Sequence, residues 1–296
     1  MHEGIENFYK GKVEAKDIKS AYFEKLAELE FLDMKFPNEN IEANYNKDIQ
    51  HYLDNFKKID SKFVLEHHVL FEVLPDIWIQ GFVDAIYKGE NGLVILDWKT
   101  SSKFTGKKLV EAGRQLLLYK LAIEATTNAK VDKIMWCMLK YLNVCHTQKN
   151  GKIKKKMCNR GKWVKEMKSA LEKEMIKEGI DDLEVSILME EAVENNNIDI
   201  LPQFIKDKYW LEDCYVEHEA SDENIQELKD YIQSTVDKIN SKNHENKDEW
   251  KPLDLEKESF YCNNLCNHRN TCTFRKEYVE GLNLGKKNDL LDFDLF

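Results

Sequence analysis

Two aspartates and a lysine stand close together in the first half of the chain, and their spacing suits chemistry on phosphate. Asp84 and Asp97 fall near the ends of two runs rich in β-branched residues, with an Asn-Gly turn signal between the runs. In such a hairpin both carboxylates can lie on one face, which Lys99 shares because strand residues two apart point the same way. Carboxylates bind Mg²⁺ or Mn²⁺, which acidify a bound water, and an ammonium can stabilise charge on phosphate. The same three residues also fit a solvated salt bridge at a strand end.

The helix predicted after these strands carries two further polar residues. Gln115 and Tyr119 are four apart and therefore share one helical face, while the leucines around them would be buried. Both side chains can hydrogen-bond to phosphate, and the tyrosine ring can stack on a base. An ordinary pair of surface residues would show the same spacing.

Hydrophobic periodicity predicts a scaffold of mixed α/β type for these residues. Helical spacing predicts N-terminal helices, and three apolar runs joined by short turns predict an antiparallel three-stranded meander. A helix, a further strand, a charged segment, a last strand and a helix capped by Ser221 follow. The predicted helices are 16–32, 41–56, 109–125 and 221–239, and the predicted strands are 63–74, 77–87, 93–98, 133–142 and 214–219.

Three motifs in order along the chain resemble a known family. Gly-Phe-Val-Asp84, Asp97-Trp-Lys99-Thr and Gln115-Leu-Leu-Leu-Tyr119 resemble the G-x-x-D, D-x-K-T and Q-x-x-x-Y motifs of the RecB-type branch of the PD-(D/E)XK nuclease superfamily. The resemblance implies a restriction-endonuclease-like core, which is a mixed central sheet flanked by helices. It extends to exonucleases of the kind associated with CRISPR adaptation.

The same resemblance assigns roles to individual residues. It implies that Asp84, Asp97 and the backbone carbonyl of Trp98 bind Mg²⁺ or Mn²⁺ and that Lys99 is the catalytic lysine, with Gln115 and Tyr119 completing the catalytic set. It also implies that His2, at the head of an N-terminal helix, is a metal ligand; a frayed terminus is the alternative.

The expected function is that of a metal-dependent DNA nuclease, with exonuclease action on ends or single strands favoured, in DNA processing, recombination or repair. A catalytically weak DNA-binding or scaffolding subunit of a helicase–nuclease or CRISPR-adaptation complex is the alternative, and an RNA target is another. The expected organisation is a nuclease core of residues 1–146 and 211–282, a basic, helical insertion at 147–210 and a flexible tail at 283–296.

A cysteine-rich segment near the C-terminus leaves three interpretations open. Cys262, Cys266 and Cys272 resemble the last three ligands of an iron–sulphur cluster, although the first spacing is one residue longer than in the family. A [4Fe–4S] cluster needs four thiolates, and no cysteine precedes Cys137, so the chain offers an incomplete ligand set unless an upstream segment is missing. Zinc bound with His268, or no metal at all, are the alternatives.

Positive charge is local in a chain with a net charge of −10, from 44 Lys and Arg against 54 Asp and Glu. Basic residues near the motifs and in the insertion could attract a phosphate backbone, although a lysine run is also typical of a solvated loop. The residues predicted to bind DNA are Lys103, Lys107, Lys108, Arg114, Lys154, Lys155 and Lys156.

The C-terminal residues and the composition of the chain lead to expectations about partners and cellular location. The last residues, 289–296, alternate acidic and large apolar side chains, which suits a peptide that docks on a sliding clamp or a helicase; packing onto the domain is the alternative. The chain shows no signal peptide and no apolar run of about 20 residues, and its seven cysteines do not resemble a disulfide scaffold. A cytoplasmic protein that does not enter the membrane is therefore expected.

Overall fold

The computed structural model of the protein describes residues 1–34, 36, 38–148, 150–246, 249–250 and 252–281. The chain divides into two compact units, Met1–Tyr231 and Ile232–Phe296. The described part of the first unit is a six-stranded sheet with helices, and that of the second contains a π-helical turn, Tyr261–Leu265. No helix among the described residues has both the length and the apolar character needed to cross a bilayer.

The helices and strands follow one another in an order close to the predicted one. The helices are α1 (His2–Tyr9), α2 (Ala15–Phe31), α3 (Glu39–Asp54), α4 (Lys107–Thr126), α5 (Trp163–Lys177), α6 (Asp182–Asn195), α7 (Gln203–Lys208) and α8 (Asp222–Asn240). The strands are β1 (Phe63–Leu74), β2 (Ile77–Lys88), β3 (Leu93–Lys99), β4 (Val131–Thr147), β5 (Ile153–Asn159) and β6 (Tyr209–Glu217). Ser221 caps α8 as expected, since its hydroxyl accepts a hydrogen bond from the Asn224 amide at 3.3 Å.

The sheet is mixed, which confirms the predicted fold class. β1, β2 and β3 form the expected antiparallel meander, and β3 then pairs in parallel with β4 after the α4 crossover. β5 and β6 both pair with β4 in the antiparallel sense. The predicted helical insertion contains α5, α6 and α7, but it also supplies β5, which the sequence analysis missed because its four exposed N-terminal residues, Ile-Lys-Lys-Lys, are poor in strand signal.

The long strand β4 serves two partners along one edge. β3 pairs with residues 131–138 of β4, and β5 pairs with residues 141–147. Because β6 pairs with both halves of β4, β3 and β5 must share the opposite edge, one after the other. The register between β4 and β6 shifts between Cys137 and Leu142, so β4 bulges where its two partners meet.

Two hydrophobic clusters of the described residues join helices to the sheet. The first joins α1, α2 and α3 to the sheet through fully buried Ile5, Ile18 and Ile49, which pack against Leu96 and Trp98 of β3. The second joins α5, α6 and α7 to the far ends of β4, β5 and β6 through residues that include Leu142, Val144, Cys158, Trp163, Leu171, Met189 and Tyr209. The long end of β4 is thus buried by its own layer of helices.

Candidate active site

Strand pairing brings the two aspartates together. Ala85 of β2 lies opposite Leu96 of β3, so one further step along this antiparallel pair sets Asp84 beside Asp97. Alternation along β3 sends Leu96 and Trp98 into the first hydrophobic cluster and sends Asp97 and Lys99 the other way, toward α4. Asp97 is only 2% exposed, which makes it one of the few buried charged residues of the described chain.

The Asp84 carboxylate is held by contacts from two elements. Its Oδ2 accepts a hydrogen bond from the backbone amide of Trp98 at 3.2 Å and lies 3.2 Å from Nδ1 of His2. His2 reaches this position because α1 is anchored by Ile5, which is fully buried in the first cluster. The structure therefore brings the predicted histidine to the predicted aspartate, from a helix more than 80 residues away in sequence.

The two carboxylates have pKa values shifted in opposite directions. Burial raises the pKa of Asp97 to about 7; the Lys99 ammonium opposes this shift, and the neighbouring Asp84 adds to it. Burial would also raise the pKa of Asp84, but hydrogen bonding and charge from His2, followed by the hydrogen bond from Asp97, outweigh burial and lower it. One proton shared between the two carboxyl groups accounts for both directions.

A polar chain runs from Asp97 to α4. Lys99 Nζ lies 2.7 Å from Asp97 Oδ2 and donates a hydrogen bond of 3.0 Å to Oε1 of Gln115. The amide nitrogen of Gln115 in turn donates to the hydroxyl of Tyr119 at 2.8 Å. Gln115 therefore contacts Lys99 directly, and Tyr119 contacts Gln115.

Gly113 sets the position of α4 in this arrangement. A Cβ atom at this position would lie 2.3 Å from the imidazole ring of His218, which follows β6. Glycine permits this close approach of the helix to the end of β6. Gln115, two residues later, is thereby held near Lys99.

Glu66 is a residue near the site that the sequence analysis missed. The β1–β2 register pairs Leu65 with Ala85 and His67 with Val83, so Glu66 stands opposite Asp84. Its φ is +49°, an uncommon conformation for a residue with a side chain. Burial, together with the charges of Asp84 and Glu6, raises its pKa. A glutamate within the largely apolar run 63–74 was the available signal.

The backbone of β1 changes direction at Glu66. Before it, Phe63 and Leu65 pack with the α1–α3 layer. After it, Val69 and Phe71 line a cavity together with Tyr119 of α4 and neighbouring residues. The left-handed residue thus stands where the inward face of β1 passes from one helical layer to the other.

Several residues predicted to bind DNA are engaged within the protein. The guanidinium of Arg114 makes a two-pronged salt bridge with Glu227 of α8, at 2.5 and 3.2 Å, and stacks on the Tyr231 ring. Lys107 pairs with Glu111 at 3.4 Å, Lys155 pairs with Glu212 at 2.5 Å, and Lys156 donates to the carbonyl of Glu166 at 2.5 Å. In the described chain, the ammonium groups of Lys103, Lys108 and Lys154 form no salt bridge.

The three cysteines of the second unit are close in sequence and are held by local contacts. Cys262 lies in the π-helical turn and is 8% exposed, while Cys266 and Cys272 are half-buried. Burial raises the pKa of Cys262, and the Cys266 and Cys272 thiols raise it further. No three His, Cys, Asp or Glu side chains of the described residues form a group that could hold a metal ion, and this applies to the cysteine segment with His268. The tail at 283–296 lies outside the described residues.

The match to a known family covers the residues of this site. The family model of the PD-(D/E)XK nuclease superfamily matches residues 1–273, which include every strand and helix of the site. The chain therefore belongs to the PD-(D/E)XK nuclease superfamily. No curated protein matches it.

Nucleases of this superfamily typically use divalent metals, and the donors of the site suit one. Asp97 Oδ2 is buried beside the Lys99 ammonium, at 2.7 Å, without a well-aligned hydrogen bond, and its remaining lone pairs suit a hard cation. In the structure, Lys99 and His2 each stand close to one of the two carboxylates. The side chains of the described residues do not close into a group of three metal ligands.

Proposed function

We propose that the protein is a divalent-metal-dependent deoxyribonuclease of the RecB-type branch, acting as an exonuclease on DNA ends or single strands. The observation that supports this most is the contact of Asp84, Asp97 and Lys99 on the paired strands β2 and β3. Burying a carboxylate beside a second carboxylate is costly for folding. This cost favours a functional over a purely structural role for Asp97.

In this proposal, Asp84 and Asp97 bind Mg²⁺ or Mn²⁺ through their carboxylate oxygens. His2, 3.2 Å from Asp84, and the backbone carbonyl of Trp98 are further ligands. The bound cation would acidify the attacking water and neutralise charge on the scissile phosphate. The burial of Asp97 would limit the access of bulk water to its carboxylate.

Lys99 is the proposed electrostatic catalyst. Its ammonium stabilises the negative charge that develops on the phosphate oxygens during in-line attack by water. Gln115 fixes the direction of the lysine through the 3.0 Å hydrogen bond, and Tyr119 fixes the rotamer of Gln115. We accordingly propose that Gln115 and Tyr119 position Lys99, in addition to any contact they make with the DNA strand.

Cleavage of end-labelled DNA tests the proposal directly. The wild-type protein would be incubated with linear single-stranded, linear double-stranded and closed circular DNA, in Mn²⁺ and in EDTA. Lys99→Ala is the informative variant, and Lys133→Ala is its control, because Lys133 is an exposed lysine on β4 whose nearest carboxylate lies 4.0 Å away. We expect Mn²⁺-dependent loss of linear DNA with wild type and Lys133→Ala, and none with Lys99→Ala.

Other results would change the proposal in defined ways. Nicking of closed circles would identify an endonuclease. DNA binding without cleavage in Mg²⁺ or Mn²⁺ would favour the alternative of a DNA-binding subunit in a helicase–nuclease or CRISPR-adaptation complex. Equal activity of Lys99→Ala and wild type would contradict the proposed catalytic role of the lysine.

Three further predictions depend on parts of the chain other than this site. An iron–sulphur cluster or zinc at Cys262, Cys266 and Cys272 is tested by the absorbance near 400 nm and the metal content of an anaerobic preparation. A helicase or sliding-clamp partner of residues 289–296 is tested by pull-down with and without that tail. A role in recombination or repair is tested by the sensitivity of a deletion strain to DNA damage.

A further inference from the structure

A cavity of about 250 Å³ opens where β3 and β5 end along the shared edge of β4. Its lining comes from α3, from the loop after β3, from the bulge of β4 and from the turn after β5. We call it the split-strand cavity. Lys140 lies in its wall, in the bulge between the last residue paired with β3 and the first residue paired with β5. A bulge at this point can turn a β4 side chain into the opening.

The charge of the split-strand cavity is opposite to that of the whole chain. Three lysines line it, Lys47, Lys140 and Lys162, against a single carboxylate of the lining, Asp48; Lys162 also pairs with Glu166 at 3.7 Å. Asp48 is 5% exposed and accepts a hydrogen bond of 2.7 Å from the amide of Gly161. Burial raises the pKa of Asp48, and the charges of Lys140 and Lys162 oppose this shift. The net charge of the chain is −10, so this local excess of positive charge is distinctive.

Lys140 has few internal partners. It is half-buried, forms no salt bridge in the described chain, and its Nζ lies 5.4 Å from the centre of the Tyr45 ring. Burial lowers the pKa of Lys140, and the charge of Asp48 opposes this. A partly desolvated ammonium without a bound carboxylate gains from an external anion. Lys47, exposed on α3, likewise forms no salt bridge within the described residues.

The split-strand cavity is linked to the proposed catalytic lysine by the loop after β3. The side chain of Thr100, next to Lys99, hydrogen-bonds with Tyr45. The amide of Lys103 donates to the hydroxyl of Tyr141 at 3.2 Å. Ser102 lines the cavity and is three residues from Lys99, so the two lie at most about 11 Å apart along the chain.

We propose that the split-strand cavity binds the phosphodiester backbone of single-stranded DNA within roughly three nucleotides of the scissile bond. The inference rests on the proposed function, since it gives the substrate strand a path from Lys99 to Lys140. Hydroxyl and amide groups of Ser102, Asn44 and Asn159 supply neutral donors beside the lysines. These contacts recognise phosphate and are indifferent to base sequence.

This path for the DNA strand differs from the one predicted from the lysine-rich stretch of the insertion. Lys155 and Lys156 of β5 are engaged with Glu212 and with the Glu166 carbonyl, and Arg114 is engaged with Glu227. Binding DNA there would require breaking these contacts. Lys47 and Lys140 lose no salt bridge when they bind phosphate.

Salt-dependent binding of a 5′-fluorescein-labelled dT20 oligonucleotide tests the proposal, measured by anisotropy in EDTA. The slope of log K against log salt is negative, and each lost phosphate contact on a single strand reduces its magnitude by about 0.7. We expect Lys47→Gln/Lys140→Gln to reduce this magnitude by about 1.4 and to weaken binding about tenfold or more at 0.1 M salt. Lys140→Arg should retain the wild-type slope, and Lys133→Gln on the same strand should match wild type.

An unchanged slope and affinity in the double variant would overturn the proposal, as would an equal loss in Lys133→Gln. Cleavage by the same preparations separates this failure from that of the proposed function. If Lys99→Ala abolishes cleavage while the double variant binds normally, the nuclease stands and the cavity assignment falls. If the wild type neither binds nor cleaves DNA, both fall.

Discussion

The carboxylate site and the cysteine segment are both short motifs, but they are built differently. Asp84, Asp97 and Lys99 lie on paired strands, and contacts from α1 and α4, distant in sequence, hold them. The cysteine segment is held by bonds between near neighbours, such as Cys266 to the Tyr261 carbonyl and Cys272 to the His268 carbonyl. A sheet with two layers of helices can bury and orient charged groups in advance, whereas a series of turns orders only its own backbone.

The largest expected difference between the two regions is in catalysis. Asp97→Ala should lower Mn²⁺-dependent cleavage by about 10²–10⁴-fold, since it removes a proposed metal ligand. Cys262→Ser should stay within about twofold of wild type. The rate of release of labelled nucleotide measures both, and the melting temperature of Asp97→Asn controls for folding. Comparable losses of activity in Asp97→Ala and Cys262→Ser would show that the two regions do not differ in their importance for catalysis.

The second difference is in tolerance of a single methyl group. Gly113→Ala should cost about 1–3 kcal/mol of unfolding free energy, because its Cβ meets His218 at 2.3 Å. Gly281→Ala in the second unit has no heavy atom within 4 Å of its Cβ and should change stability by less than about 0.5 kcal/mol. Urea unfolding measures both. His218→Ala should restore most of the stability of Gly113→Ala, and failure to do so would place the strain elsewhere.

The third difference is in pH dependence. The folded-state pKa of Asp97 is about 7, above the ordinary value near 3.9, so the folded metal-free protein binds the extra proton. The resulting stability is fully present below about pH 4 and is lost as pH rises through 7, on the order of 4 kcal/mol. Urea unfolding in EDTA from pH 4.5 to 7.5 should show this decline in wild type.

Two variants sharpen that measurement. Asp97→Asn should flatten the decline, because an amide does not titrate in this range. Cys262→Ser should leave it unchanged, since the raised thiol pKa moves the titration of Cys262 above its ordinary alkaline range. A decline that persists in Asp97→Asn would assign the titration to another group.

The smallest expected effect concerns positioning of the lysine. Gln115→Ala should lower kcat about tenfold with little change in KM, because Lys99 loses its 3.0 Å partner. Tyr119→Phe removes only the hydroxyl that holds Gln115 and should cost about twofold to threefold. Arg275→Lys, which disturbs the 2.7 Å bond to Asn263 in the cysteine segment, should leave kcat unchanged. A rise in KM alone would instead indicate that Gln115 contacts DNA.

Much of the fold could be predicted because it depends on local sequence. The apolar runs, the Asn-Gly turn and the Ser221 cap each act within a few residues, and the strands of the meander and α4 form where they indicate. The contact of Asp84 with Asp97 follows from the same local rules, since a tight hairpin determines which residues face each other. β5 was not predicted from the sequence because it is stabilised by pairing with the long end of β4, which is a nonlocal contact.

The order of the elements, the pairing of β2 with β3 and the shared face of Asp97 and Lys99 follow from local sequence, because these depend on the period of a strand and on a short turn. Long-range packing is needed for His2 to reach Asp84, for Arg114 to engage Glu227 and for Lys140 to line a cavity beside the site. Those contacts join residues 82, 113 and up to 99 positions apart, and their geometry depends on the packing of whole helices and strands rather than on any local pattern.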